Sequence, residues 1–185
     1  VDVMTTMPNR YHTFNIDAKE YEIKENVTIY RIKLSEHKSG IIDQIFSFFV
    51  YYNGVRKFIK GKNYDIIFAS SSRLFTAFLG ARISRKLKIP LYLDIRDIFS
   101  ETISQVISNK LITSVIGPII RIIEKYTINS ASKLNLVSPG FMDYFIKFYK
   151  GNFTFFTNGI DEEFLVNHEI CAFENNGKKI ITYAG

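Results

Sequence analysis

Apolar positions alternate along the chain between short, nearly continuous runs and longer stretches with helical spacing. VDVMTT (1–6) and VTIYRIKL (27–34) read as strands separated by a polar loop over residues 7–26. From Ile41, the positions Ile41, Ile45, Phe48, Phe49, Tyr52, Val55 and Ile59 recur at three- and four-residue steps, one helical face. Asp43, Ser47 and Lys57 fall on the other side, and Gly61 stops the helix. YDIIFAS (64–70) is apolar almost throughout, as strands of parallel sheets are. A helix over about 73–87 and the strand IPLYLDI follow. Helical spacing returns over 111–130, where Gly117-Pro118 breaks or starts a helix. KLNLVS (133–138) is a further strand, and Pro139 suits the first turn of a short helix, GFMDYFIKFYK. NFTFFT is a strand that ends in the turn signal NGID. The polar segment 162–179 leads to a last strand, KIITYAG.

Strand–helix alternation of this kind implies an α/β fold, a Rossmann-like parallel sheet with helices on both faces. Ligands bind such sheets beyond the carboxyl ends of the strands. That rule selects Thr5–His12, Ser70–Arg73, Asp94–Glu101, Ser138–Gly140 and Asn158–Asp161. Ser70 and Ser71 stand between a strand and a helix, where a serine caps the helix or faces a phosphate or sugar hydroxyl. Ser138, before Pro139, presents the same choice. In PLYLDIRDIFSE an apolar strand ends in Asp94, Arg96, Asp97 and Glu101. Asp94 suits a scaffold role, taking backbone N–H groups from a neighbouring loop. Asp97 falls past the strand end, and two readings stand: a helix N-terminal acid paired with Arg96, or a group that reaches a cleft.

Composition narrows the partners only slightly. The 185 residues are 46% hydrophobic and 23% charged, enough apolar content for a sizeable core. A net charge of +6 and a pI of about 9.3 favour anionic partners. The basic residues are scattered and lack an aromatic platform pattern, which argues against nucleic acid. Cys171 is the sole cysteine, so no intramolecular disulfide forms, and a reducing, cytoplasmic setting fits. No apolar run reaches the length of a membrane span. Neither GxGxxG nor GxxxxGK(S/T) occurs, so a complete dinucleotide or P-loop site is not expected. The Asp94–Asp97 spacing puts the two carboxylates on opposite faces of a strand. His12, His37 and His168 lie in separate segments, so no metal is expected.

Five strings in order resemble the N-terminal, acceptor-side domain of a bacterial glycosyltransferase of the GT-B fold. Family 4, with its fucosamine, capsule and O-antigen sugar transferases, looks most similar. VDVMTTMPNRY resembles the family's second strand and loop. YDIIFASSSRLFTAFLGARISRKLKIPLYLDIRDIFSE resembles its strand–helix–strand and the R-D-L-W-P-E turn, with Phe99-Ser100 in place of Trp-Pro. KLNLVSPGFMDYF resembles its strand ending in Ser, TFFTNGIDEEF its N-G-(V/I)-D loop, and KKIITYAG the opening of its second domain.

The resemblance implies an N-terminal domain over 1–165, a linker over 166–179, and the start of a C-terminal nucleotide-sugar domain over 180–185. It also implies one further strand and glycine loop upstream, so that residues 1–185 alone leave a gap in the sheet. A retaining transfer without cofactor is implied, from a nucleotide-sugar to a glycan or polyprenyl-diphosphate-linked acceptor. A nucleotide-sugar 2-epimerase and a non-catalytic ligand-binding domain are the alternatives. The family's His-Asp pair is replaced here by Arg96-Asp97, so a histidine base is not supported. Asp97 becomes the first candidate for the acceptor-side catalytic group, with Arg96 orienting it or meeting phosphate. Substrate contacts are expected from Arg10, His12, Ser70, Ser71, Glu101, Ser138, Asn158 and Gly159. The aromatic helix from Ile41, flanked by Arg56, Lys57, Lys60 and Lys62, is compatible with peripheral contact at the inner face of the plasma membrane, and equally with plain packing on the sheet.

Overall fold

The computed structural model describes residues 1–8, 17–34, 41–71, 73–99 and 110–159. The linker and final strand expected over 166–185, and the candidates Arg10, His12 and Glu101, lie outside the described residues.

Among the described residues seven strands form two sheets. The first contains β1 (Asp2–Thr6), β2 (Tyr21–Lys24) and β3 (Val27–Ile32) in the order β1-β3-β2. β1 runs parallel to β3, and β2 runs antiparallel to it. The second sheet contains β4 (Ile67–Ser71), β5 (Leu91–Ile95), β6 (Lys133–Leu136) and β7 (Asn152–Phe155), in chain order and parallel throughout. Between the two sheets, β1 and β4 each have one edge without a backbone partner among the described residues.

β2 lies inside the stretch read from sequence as a polar loop. Lys24 pairs with Val27, so Glu25 and Asn26 form a two-residue hairpin turn. Glu25 takes the positive φ of 50° that the turn needs. β2 is an edge strand of only four residues, and although Tyr21, Glu22, Ile23 and Lys24 alternate apolar and polar, both apolar side chains stay exposed.

Each strand of the second sheet is preceded by a helix. α1 (Ile41–Phe58) leads into β4, α2 (Leu74–Leu87) into β5, and α3 (Lys110–Ile128) into β6. A 3-10 turn (Pro139–Phe141) and the single-turn α4 (Met142–Phe145) precede β7. Pro118 stands inside α3 instead of ending it. Its ring falls on the exposed side and removes one backbone bond. Ile120, Glu124, Thr127 and Ile128 meanwhile keep a continuous buried face.

The alternation of side chains along strands decides which face is core. Leu91, Leu93 and Ile95 of β5 and Leu134 and Leu136 of β6 point to one face and are fully buried. They pack with Leu74, Ala77 and Ala81 of α2, Ile120 and Ile128 of α3, and Phe145 of α4. Each such leucine contributes about 1.5–3 kcal/mol on burial. Gly80 sets how closely α2 approaches the sheet, since a Cβ there would lie 2.9 Å from the Ala69 Cβ. A second cluster, Ile32, Val55 and Leu79, joins β3, α1 and α2 across the two sheets. Lys62 and Tyr64 also tie the start of β1 to the approach to β4, both bonding Asp2 Oδ2, at 2.8 and 2.6 Å. The result is a Rossmann-like α/β domain, a parallel sheet flanked by helices, as the strand–helix alternation implied. No helix among the described residues is long and apolar enough to cross a membrane.

Candidate functional site

The opposite face of β4–β7 is where the chemistry collects. Register places Ser70, Asp94, Asn135 and Thr154 side by side, one from each strand, near the carboxyl end of the sheet. The four form a hydrogen-bonded ladder. Ser70 Oγ donates to Asp94 Oδ2 at 2.7 Å, and Asn135 Nδ2 donates to Asp94 Oδ1 at 2.7 Å. Thr154 Oγ1 donates to Asn135 Oδ1 at 3.1 Å.

Asn135 is 2% exposed and uses its full bonding capacity. Besides its two ladder bonds, its Nδ2 donates to the Phe156 carbonyl at 3.2 Å and its Oδ1 accepts the Phe156 N–H at 2.8 Å. The amide therefore fixes the start of the segment that leads from β7 to Asn158.

Arg96, the first residue beyond β5, closes the ladder. Its Nε donates to Asp94 Oδ2 at 2.8 Å, and its Nη1 donates to Asn158 Oδ1. The Arg96 side chain is 38% exposed, whereas that of Asp94 is 3% exposed. Burial pushes the Asp94 carboxyl up, but bonds from Ser70, Asn135 and Arg96, with the Arg96 charge, outweigh burial and hold it below the usual carboxylate range. Asp94 is thus ionised at neutral pH and aims Arg96. A guanidinium has five N–H donors, and those not bonded to Asp94 and Asn158 can face an anion. Phe68, Tyr92, Asn135 and Phe156 join Asp94 and Arg96 around a cavity of about 200 Å³. Phe68 stacks on Tyr92, centroids 5.4 Å apart, and the Tyr92 hydroxyl lies 2.8 Å from Thr154 Oγ1.

The structure therefore brings Ser70, Arg96 and Asn158 together, with Gly159 next in the chain. It places Ser71 and Ser138 elsewhere. Ser71 points to the core face, and its hydroxyl accepts the Arg73 N–H and donates to the Arg73 carbonyl, both at 2.8 Å. Ser138 Oγ accepts the Gly140 N–H at 3.3 Å and caps the turn that follows. Asp97 Oδ1 accepts the Ile98 N–H at 2.8 Å, and the partner of Arg96 is Asp94 rather than Asp97.

Apolar periodicity does not single out Asn135 and Thr154, and it leaves Asp94 a scaffold role. A usable signal existed. In IFASS, LYLDI, KLNL and NFTF a polar residue stands beside apolar ones near the carboxyl end of the strand.

No protein-family model matches the chain, and no curated protein matches it. Among solved structures it is similar to a sucrose-phosphate synthase from Thermosynechococcus elongatus, at a TM-score of 0.58 and 9% identity. The match covers 88% of this chain and 39% of that one. At that identity the likeness is one of fold: this chain has the fold of part of a GT-B glycosyltransferase.

Proposed function

We propose that this chain is the acceptor-side domain of a retaining glycosyltransferase acting in surface polysaccharide synthesis. Its donor is a nucleotide-sugar, and its acceptor is a glycan or a polyprenyl-diphosphate-linked saccharide. The observation that carries this proposal is the aimed guanidinium of Arg96, held by Asp94 and Asn158 outside the carboxyl end of β5. Departure of a nucleoside diphosphate builds negative charge on its phosphate oxygens. A cation fixed in advance stabilises that charge without reorganising during the reaction. The shared fold with a sucrose-phosphate synthase supports the same class of reaction.

Within this proposal Arg96 meets phosphate, and Asp94 and Asn135 position it. Asp97, half-buried one residue further on, is assigned the polar contact to the acceptor hydroxyl. The test is to incubate the full-length protein with a panel of UDP- and GDP-sugars, with and without polyprenyl-diphosphate-linked saccharides. Acceptor-dependent nucleotide release, with the product linkage keeping the donor's anomeric configuration by NMR, is the expected result. Nucleotide release that never depends on an acceptor, or no release with any donor, would overturn the proposal.

A further inference from the structure

At the end of the domain opposite the candidate site, the carboxyl termini of α1 and α2 border a groove of about 940 Å³. From the α1 side it is lined by Arg56, Lys57, Lys60 and Lys62, and from α2 by Arg82, Arg85 and Lys86. Among the described residues no carboxylate lines it. Lys62 is paired with Asp2, and Arg85 lies over the Tyr126 ring at 4.4 Å. Among the described residues the remaining groove cations form no ion pair. Helix dipoles favour cations in the last turn and account for Arg56, Lys57, Arg85 and Lys86. They do not account for Lys60 and Arg82.

Nor do they account for what α1 presents further along the same side. Its exposed positions are 45, 46, 49, 53, 56 and 57, which fall on one helical face. The first three are Ile45, Phe46 and Phe49, exposed by 46%, 58% and 55%. The opposite face, with Val55, already packs on Ile32 and Leu79. Over residues 45–49 α1 is therefore apolar on both sides, and its outward side becomes basic within about 16 Å along the axis, at 1.5 Å per residue.

We propose that α1 docks this domain on an anionic lipid surface. Phe46 and Phe49 enter the boundary between headgroups and acyl chains, and Lys57, Lys60, Arg82 and Lys86 meet lipid phosphates. Apolar anchors beside a cluster of cations are what an interfacial helix needs. A soluble polyanion would use the groove and leave the phenylalanines idle, so the apolar half of the stripe selects the lipid. The inference stands apart from the transfer chemistry, because vesicle binding needs no turnover.

The test is co-sedimentation of the protein with vesicles of phosphatidylcholine alone and of phosphatidylcholine with phosphatidylglycerol. Binding is expected only with phosphatidylglycerol, weakening as salt rises. Each cation near an anionic surface contributes roughly five-fold in partitioning. Combining Lys57→Ala, Lys60→Ala and Lys86→Ala should therefore weaken binding about 100-fold. Phe46→Ser with Phe49→Ser should also weaken it, with the cations intact. All five side chains are on exposed positions, and circular dichroism checks that the variants fold. Two results would overturn the proposal: equal binding to both vesicles, or phosphatidylglycerol binding that the phenylalanine pair leaves unchanged. Polyphosphate or single-stranded RNA binding at the groove without any vesicle binding would also overturn it.

Discussion

Asn135→Asp is the sharpest perturbation of the polar ladder, because it changes no volume. The amide nitrogen sits 2.7 Å from Asp94 Oδ1 and 3.2 Å from the Phe156 carbonyl. The substitution turns a donor facing two acceptors into a third acceptor. It also puts a second carboxyl against a buried one that is already ionised. Leaving a buried charge without its compensating partner costs about 3–5 kcal/mol. Whole domains are stable by only about 5–15 kcal/mol, so a loss of that size is large. The sign of its pH dependence is distinctive. One proton shared by the new pair restores the missing donor, so the folded variant takes up a proton well above the unfolded carboxyl value of about 3.9. A pKa raised on folding stabilises fully below the unfolded value, and that stability is lost as pH rises through the folded value. The variant should regain stability as pH falls from 7 to 5, where the wild type changes little. A shift of about two units is worth roughly 3 kcal/mol in all, of which about 1.2 kcal/mol returns between pH 7 and 5 and the rest at lower pH. Urea unfolding at pH 7, 6 and 5 measures this directly. A variant as stable as wild type at pH 7, or one whose deficit grows on acidification, would refute the ladder as described.

Other outcomes follow from neighbouring features. In the wild type, Asp94 is held low against burial by its hydrogen bonds and Arg96, and Asp2 is held low by its bonds from Lys62 and Tyr64. Both contribute stability above the unfolded value of about 3.9 that disappears as pH falls through their lower folded values, so thermal midpoints should drop below about pH 4 and stay flat between 5 and 7. Gly80→Ala should destabilise by about 1–3 kcal/mol in chemical denaturation, although alanine favours helix, because the new Cβ would lie 2.9 Å from the Ala69 Cβ on the sheet. Tyr64→Phe should cost about 1.5–3 kcal/mol in the same assay through loss of the 2.6 Å bond to the ionised Asp2.

The strands and helices that carry the core were legible in the sequence because burial demands a pattern. Leu91, Leu93 and Ile95 on one strand and the three- and four-residue steps of α1 are written in apolar side chains. β2 was not legible, because its alternation of Tyr21, Glu22, Ile23 and Lys24 spans only four residues inside a polar stretch, its apolar side chains stay exposed, and its turn is Glu25-Asn26 instead of a glycine pair. The continuity of α3 through Pro118 depends on tertiary packing that overrides a local breaker. The candidate site was half legible. Topology located the carboxyl ends of the strands, and so Arg96, Ser70 and Asn158. The ladder itself joins residues 24, 41 and 19 positions apart, and only sheet register aligns them. Chain order alone therefore does not single out Asn135 and Thr154, and it sets Arg96 beside its neighbour Asp97 instead of its partner Asp94.

The central claim is that Arg96 stabilises a departing phosphate. Its most direct measurement is the turnover of Arg96→Ala, with Arg96→Lys beside it, in acceptor-dependent nucleotide release by the full-length protein. Loss of one preorganised donor to developing charge costs roughly 10²–10³ in kcat. A fall of that size with a small change in KM, and only partial recovery in the lysine variant, is the expected result. Turnover of Arg96→Ala equal to that of the wild type would contradict the claim.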